Sequence, residues 1–99
     1  MTKTITTPFD AAEFLDNEDA IAVYLTEALA AGDIAHFQEA VQTAARARGM
    51  AQIAEASGLG RESLYKALRQ GAKPRFDTIL RVLGAMGVRL SVEPTGKAA

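Results

Sequence analysis

Cysteine is absent from these 99 residues, which removes disulfides and thiolate metal sites from consideration and makes a reducing cytosol the natural compartment. Also missing is any apolar run near the ~20 residues needed to span a bilayer. The opening MTKTITTPFD has no apolar core of the kind an export signal requires, so nothing is expected to be exported or membrane-embedded. Histidine occurs once, at His36, where a helix needs only a polar outward residue. No Ser/His/Asp grouping, Gly-rich phosphate loop or metal-ligand cluster accompanies it, so the chain is not expected to be an enzyme or to carry a cofactor or metal. Asp16, Glu18 and Asp19 do cluster, but they fall at a helix start, where the dipole explains them without paired-carboxylate chemistry.

Positive charge is scarce in one half only. The formal net charge is −1, yet residues 1–45 hold one base and eight acids, for −7, while residues 46–99 hold ten bases and four acids, for +6. Such asymmetry suits a polyanion on the basic half and a different partner on the acidic one. Caps alone account for several of the acids.

What is present is helical periodicity. The 48% hydrophobic, 23% charged composition is that of an ordinary small globular chain. Residues 1–15 read as an arm, with Asp10 and Glu13 forming a capping box for a short helix Ala11–Leu15 that Phe9 and Phe14 pin to the body. Asp16 or Asn17 then caps a helix whose apolar stripe is Ile21, Tyr24, Leu25, Ala28 and Leu29, ended by Gly32. Asp33 caps the next, which turns Ile34, Phe37, Val41, Ala44 and Ala45 inward and stops at Gly49. Arg46 and Arg48 close it, available to a phosphate. Residues 16–49 thus form an acidic helical segment.

From Met50 to Arg69, MAQIAEASGLGRESLYKALR reads as two short helices around a tight turn. Ala54 is small where the helices cross, Gly58 supplies the φ > 0 turn, Leu59 plugs the gap, and Leu64, Ala67 and Leu68 point back at the first helix. Ser57 is polar where an apolar residue is expected. Gly60 stands where Ser or Thr would cap the second helix, a difference of a few tenths of a kcal/mol. The layout is that of a helix-turn-helix, whose second helix enters the DNA major groove. An ordinary helical hairpin with a solvated basic face is the plainer alternative.

Beyond it lie a basic loop, Gln70 to Lys73, and a last helix beginning near Pro74. Phe76, Ile79, Leu80, Leu83 and Met86 form its apolar face, and Gly87 is its stop. Val88 to Glu93 alternate apolar and polar residues with the period of a strand, leaving 94–99 as a tail. A lone strand leaves its backbone unsatisfied, so Val88, Leu90 and Val92 are expected to pair with a second copy or with another protein, unless the segment packs as an extended tail. The expected fold is all-α: a five-to-six-helix bundle with a Cro/repressor-type helix-turn-helix and one short C-terminal β-strand, residues 16–93 making one compact domain.

The stretch from Met50 to Val92, above all GRESLYKAL with RFDTILRVLGAMGVRL, resembles the addiction-module antidote proteins, HigA-like antitoxins within the Cro and phage-repressor superfamily. The acidic DNEDAIAVYLTEALAAGDIAHFQEAVQTAARARGM resembles their leader. The resemblance implies a dimeric antitoxin of a type II toxin-antitoxin module that represses its own operon and neutralises a small basic RelE/ParE-type toxin. A free-standing Cro-like repressor with no toxin partner is the alternative. It also implies base contacts from Arg61, Glu62 and Lys66 to operator DNA, with Gln52, Ser63, Tyr65, Arg69, Lys73 and Arg75 on the backbone. For Tyr65, half-buried helix packing is an equal alternative.

Overall fold

Five helices follow one another in a computed structural model that describes residues 14–96. They are α1 (Glu18–Ala30), α2 (Ile34–Arg48), α3 (Met50–Ser57), α4 (Arg61–Leu68) and α5 (Phe76–Ala85). The expected helix at Ala11–Leu15 lies, apart from its last two residues, outside the described residues. Of those two, Leu15 is inserted in the core, whereas Phe14 is at the surface.

Local chemistry sets each boundary. Asn17 caps α1 by accepting from the Ala20 amide at 2.8 Å, and Asp33 caps α2 by accepting from Ala35 and His36. Gly49, at φ 104°, ends α2 and starts α3 with no intervening loop. The end of α5 is a Schellman arrangement: the Val88 amide donates to the Leu83 carbonyl and the Gly87 amide to that of Gly84, with Gly87 at φ 83°.

The second helix packs on α1, α3 and α4, while α3 in turn packs on α4 and α5. The inward face of α2 is mostly alanine: Ala40, Ala44 and Ala45 are essentially inaccessible, and side chains this small let three neighbours approach one helix closely. Around them one core gathers Ile21 and Leu25 from α1, Ile53 from α3, Leu64 and Leu68 from α4, and Val82, Leu83 and Met86 at the other end.

The expected C-terminal strand does not form; among the described residues there is no strand at all. Val88 and Leu90 rest half-buried on the core while Val92 is 97% exposed. Burial alternates only as far as Leu90, and with no neighbouring strand to supply a ladder the segment lies on the core without regular structure. Two other inward assignments also fail. Ile34 and Phe76 are 68% and 67% exposed, and each is the first residue of its helix, where the side chain leans back beyond the last packed turn. Leu29 and Leu80, at the margins of their stripes, are partly exposed as well.

Candidate functional site

The turn between α3 and α4 is built by three residues acting together. Gly58 adopts φ 77° and ends α3, turning the chain where a side chain would be strained. Ser57, 8% exposed, donates from Oγ to the Ala54 carbonyl at 3.2 Å and accepts from the Leu59 amide at 3.3 Å. The polar residue that looked misplaced therefore ties the turn to the preceding helix. Gly60 enters α4 in an extended conformation with no side-chain cap, leaving the first amides of α4 without a capping side chain.

Leu64 and Leu68 anchor α4 in the core, Leu64 completely. Their burial fixes which way the helix faces. Arg61, Glu62, Tyr65, Lys66 and Arg69 are all exposed and line one shallow depression on its outer side. The Arg61 guanidinium carbon lies 5.9 Å from the centre of the Tyr65 ring, one turn along the helix, close enough for a cation–π contact. Tyr65 is 48% exposed, half covered and half open to solvent, with Arg61 over its ring.

The other expected contact residues are more dispersed. Ser63 is exposed on α4 but does not line the depression, and Gln52 is exposed on α3, near Gly49. Lys73 stands on the loop after α4, across a groove of about 700 Å³ from Asp33, His36 and Glu39; Arg69 lines both this groove and the depression. Arg75 is exposed and paired with Asp77 at 3.4 Å. Arg48 is engaged within the chain: Nη2 pairs with Glu18 Oε2 at 3.5 Å and Nη1 donates to the Asp16 carbonyl, which fastens the end of α2 to the start of α1. Sequence gave no signal for that link, because its partners lie 30 and 32 residues away. Arg46 stays exposed. Of the expected partner strand, Val88 and Leu90 are committed to the core and only Val92 projects.

Every described acid of the α1–α2 half is exposed, as are all described bases from Arg61 onward, so the charge division of the sequence persists on the surface. Among the described residues no cluster of His, Cys, Asp or Glu could hold a metal ion, and no helix is long and apolar enough to cross a membrane.

Comparison with known proteins places these features in context. A family model described as "Probable addiction module antidote protein" matches residues 5–94. An uncharacterized protein of Haemophilus influenzae is 41% identical over 85 residues, covering 86% of this chain and 88% of that one. No solved structure matches.

Proposed function

The chain belongs to the addiction-module antidote family, a membership that implies a toxin of some kind as partner, and from that premise we propose a dimeric, DNA-binding antitoxin of the type II kind. In this reading α3 and α4 form a helix-turn-helix of the Cro and phage-repressor type. The observation that carries it is the single outward face of α4, where Arg61, Glu62, Tyr65, Lys66 and Arg69 converge while Leu64 and Leu68 lock the helix from behind.

Arg61, Glu62 and Lys66 read base edges: Arg61 donates to guanine O6 and N7, Glu62 accepts from a cytosine amino group, and Lys66 reaches a base or phosphate. Gln52, Ser63, Arg69, Lys73 and Arg75 set register on the backbone, and Tyr65 supports Arg61 from beneath. One α4 spans too few base pairs for specificity, so two copies bind half-sites about one helical turn apart and repress the antitoxin's own operon. The acidic α1–α2 half faces away from the polyanion and meets a basic toxin of the RelE/ParE type, with complementary charge steering the encounter.

Two assays test this. Gel shifts on DNA upstream of the chain's own reading frame are expected to show binding that weakens steeply with salt, log K falling by about 0.9 per phosphate neutralised for each tenfold rise. Co-expression with the neighbouring reading frame is expected to relieve growth arrest and yield a complex. Growth rescue without any shift at low salt would retain the antidote and end the DNA reading. A specific shift with no toxic neighbour would leave a free-standing repressor.

A further inference from the structure

A groove of about 720 Å³ lies between α1 and residues 88–95, the segment that follows α5. Leu25, Phe37, Leu83 and Leu90 give it an apolar lining, and Leu29 lines it too while remaining 44% exposed. On the neighbouring row of α1, Val23 is 58% exposed, with Asp19 and Glu27 four residues to either side of it, both in solvent. Residues 14–45 contain Asp16, Glu18, Asp19, Glu27, Asp33 and Glu39 and no Lys or Arg. We propose that this groove holds a helix of the basic toxin, its apolar stripe laid on Leu25, Leu29 and Leu90 and its Lys or Arg side chains reaching Asp19 and Glu27.

Charge decides which kind of partner fits and which way round it lies. The wall formed by residues 88–95 carries both signs, Arg89 and Glu93, so it gives a cationic partner no net attraction. The α1 flank carries acids alone, and the partner's cations are directed there. Asp19 and Glu27 are exposed and screened by salt, so they orient the encounter while the apolar contact holds the complex. An apolar groove of this kind takes an amphipathic helix by its stripe. The groove-lining stretch of α1 runs from Ala22 to Ala30, which at 1.5 Å rise per residue is ~12 Å, or about two turns of a partner helix. None of the lining comes from α3 or α4, so toxin and DNA are held on separate surfaces of the same chain.

The inference rests on the toxin reading above and narrows it from the acidic half to one groove. Its test titrates the purified product of the neighbouring reading frame against the full chain by calorimetry. Ala22→Arg and Thr26→Arg place a bulky cation in the groove from exposed positions, in a residue type that favours helix. Circular dichroism and gel shifts on operator DNA are expected to match wild type, while Kd for the toxin rises at least roughly tenfold. Ile34→Arg makes the same change of charge on the acidic half but outside this groove, and is expected to raise Kd by about threefold or less. Because the chain has no cysteine, Val23→Cys carrying a benzophenone is a unique attachment point beside the groove, and its cross-link is expected on an amphipathic basic helix of the toxin. Wild-type affinity in both groove variants, an equal loss in Ile34→Arg, or a cross-link mapped to a strand or loop overturns the proposal. No complex with the wild type would end the toxin reading itself, whereas a tight complex indifferent to Ala22→Arg and Thr26→Arg leaves that reading intact and removes only the groove.

Discussion

Arg48 and Glu18, 30 residues apart in the chain, meet at 3.5 Å and join the last residue of α2 to the first of α1. The Arg48 side chain is 28% exposed and that of Glu18 57%, so water screens the pair and a double-mutant cycle is expected to give a coupling of about 0.2–1 kcal/mol that shrinks with salt. Arg48→Ala should cost more than Glu18→Ala. It also removes the hydrogen bond to the Asp16 carbonyl and a cation at the negative end of the α2 dipole. Chemical denaturation of the two single variants and the double variant measures all three quantities.

The turn after α5 passes close to Glu18. A Cβ built on Gly87 would stand 2.7 Å from Glu18 Cγ, and Gly87 is at φ 83°. Gly87→Ala therefore carries left-handed strain of roughly 1–2 kcal/mol and displaces Glu18 from Arg48 as well. A fall in melting temperature larger than for Gly58→Ala is the expected result, because Gly58 has the same backbone sign and nothing within 4 Å of its Cβ position.

Ser57→Ala is expected to destabilise by about 1 kcal/mol, since the hydroxyl both donates to Ala54 and accepts from the part-buried Leu59 amide. Ser57→Val would restore the apolar residue that the spacing alone suggests. It should be no better than alanine, because added hydrocarbon does not replace the acceptor that the Leu59 amide needs. Thermal melts of both variants decide this, and a Ser57→Val protein more stable than wild type would show the hydroxyl to be dispensable.

Features that depend on a few consecutive residues were legible in the chain. The Asp33 cap, the glycine stops at 32, 49 and 87, and the turn at Gly58 each follow from side-chain reach or from φ alone. For the first helix the sequence leaves Asp16 and Asn17 as equal candidates, and the structure selects Asn17. The outward face of α4 followed as well, since Leu64 and Leu68 dictate it. What escaped depends on neighbours distant in sequence. Alternation at Val88, Leu90 and Val92 describes an extended chain equally well with or without a strand beside it, and only a partner strand would make the ladder. Period likewise placed Ile34 and Phe76 inside, but period ignores where a helix begins. Arg48 looked free because its acidic partners are at the far end of another helix.

The last prediction concerns how Arg61 is presented. The Arg61 guanidinium lies over the Tyr65 ring, and on the proposed DNA-binding reading an arm held in this way loses less conformational freedom on binding. Arg61→Ala should cost about 1–3 kcal/mol on operator DNA and relax preference at one base pair, with little change on random sequence. Tyr65→Leu keeps an apolar body beneath Arg61 but removes the ring face, so it should weaken operator binding by less than Arg61→Ala. Combined with Arg61→Ala it should add little, because the ring then has no cation to hold. Additive losses in the double variant, measured by gel-shift titration at fixed salt, would mean that Tyr65 touches DNA on its own account; equal losses on operator and random DNA for Arg61→Ala would place Arg61 on the phosphates instead of the bases.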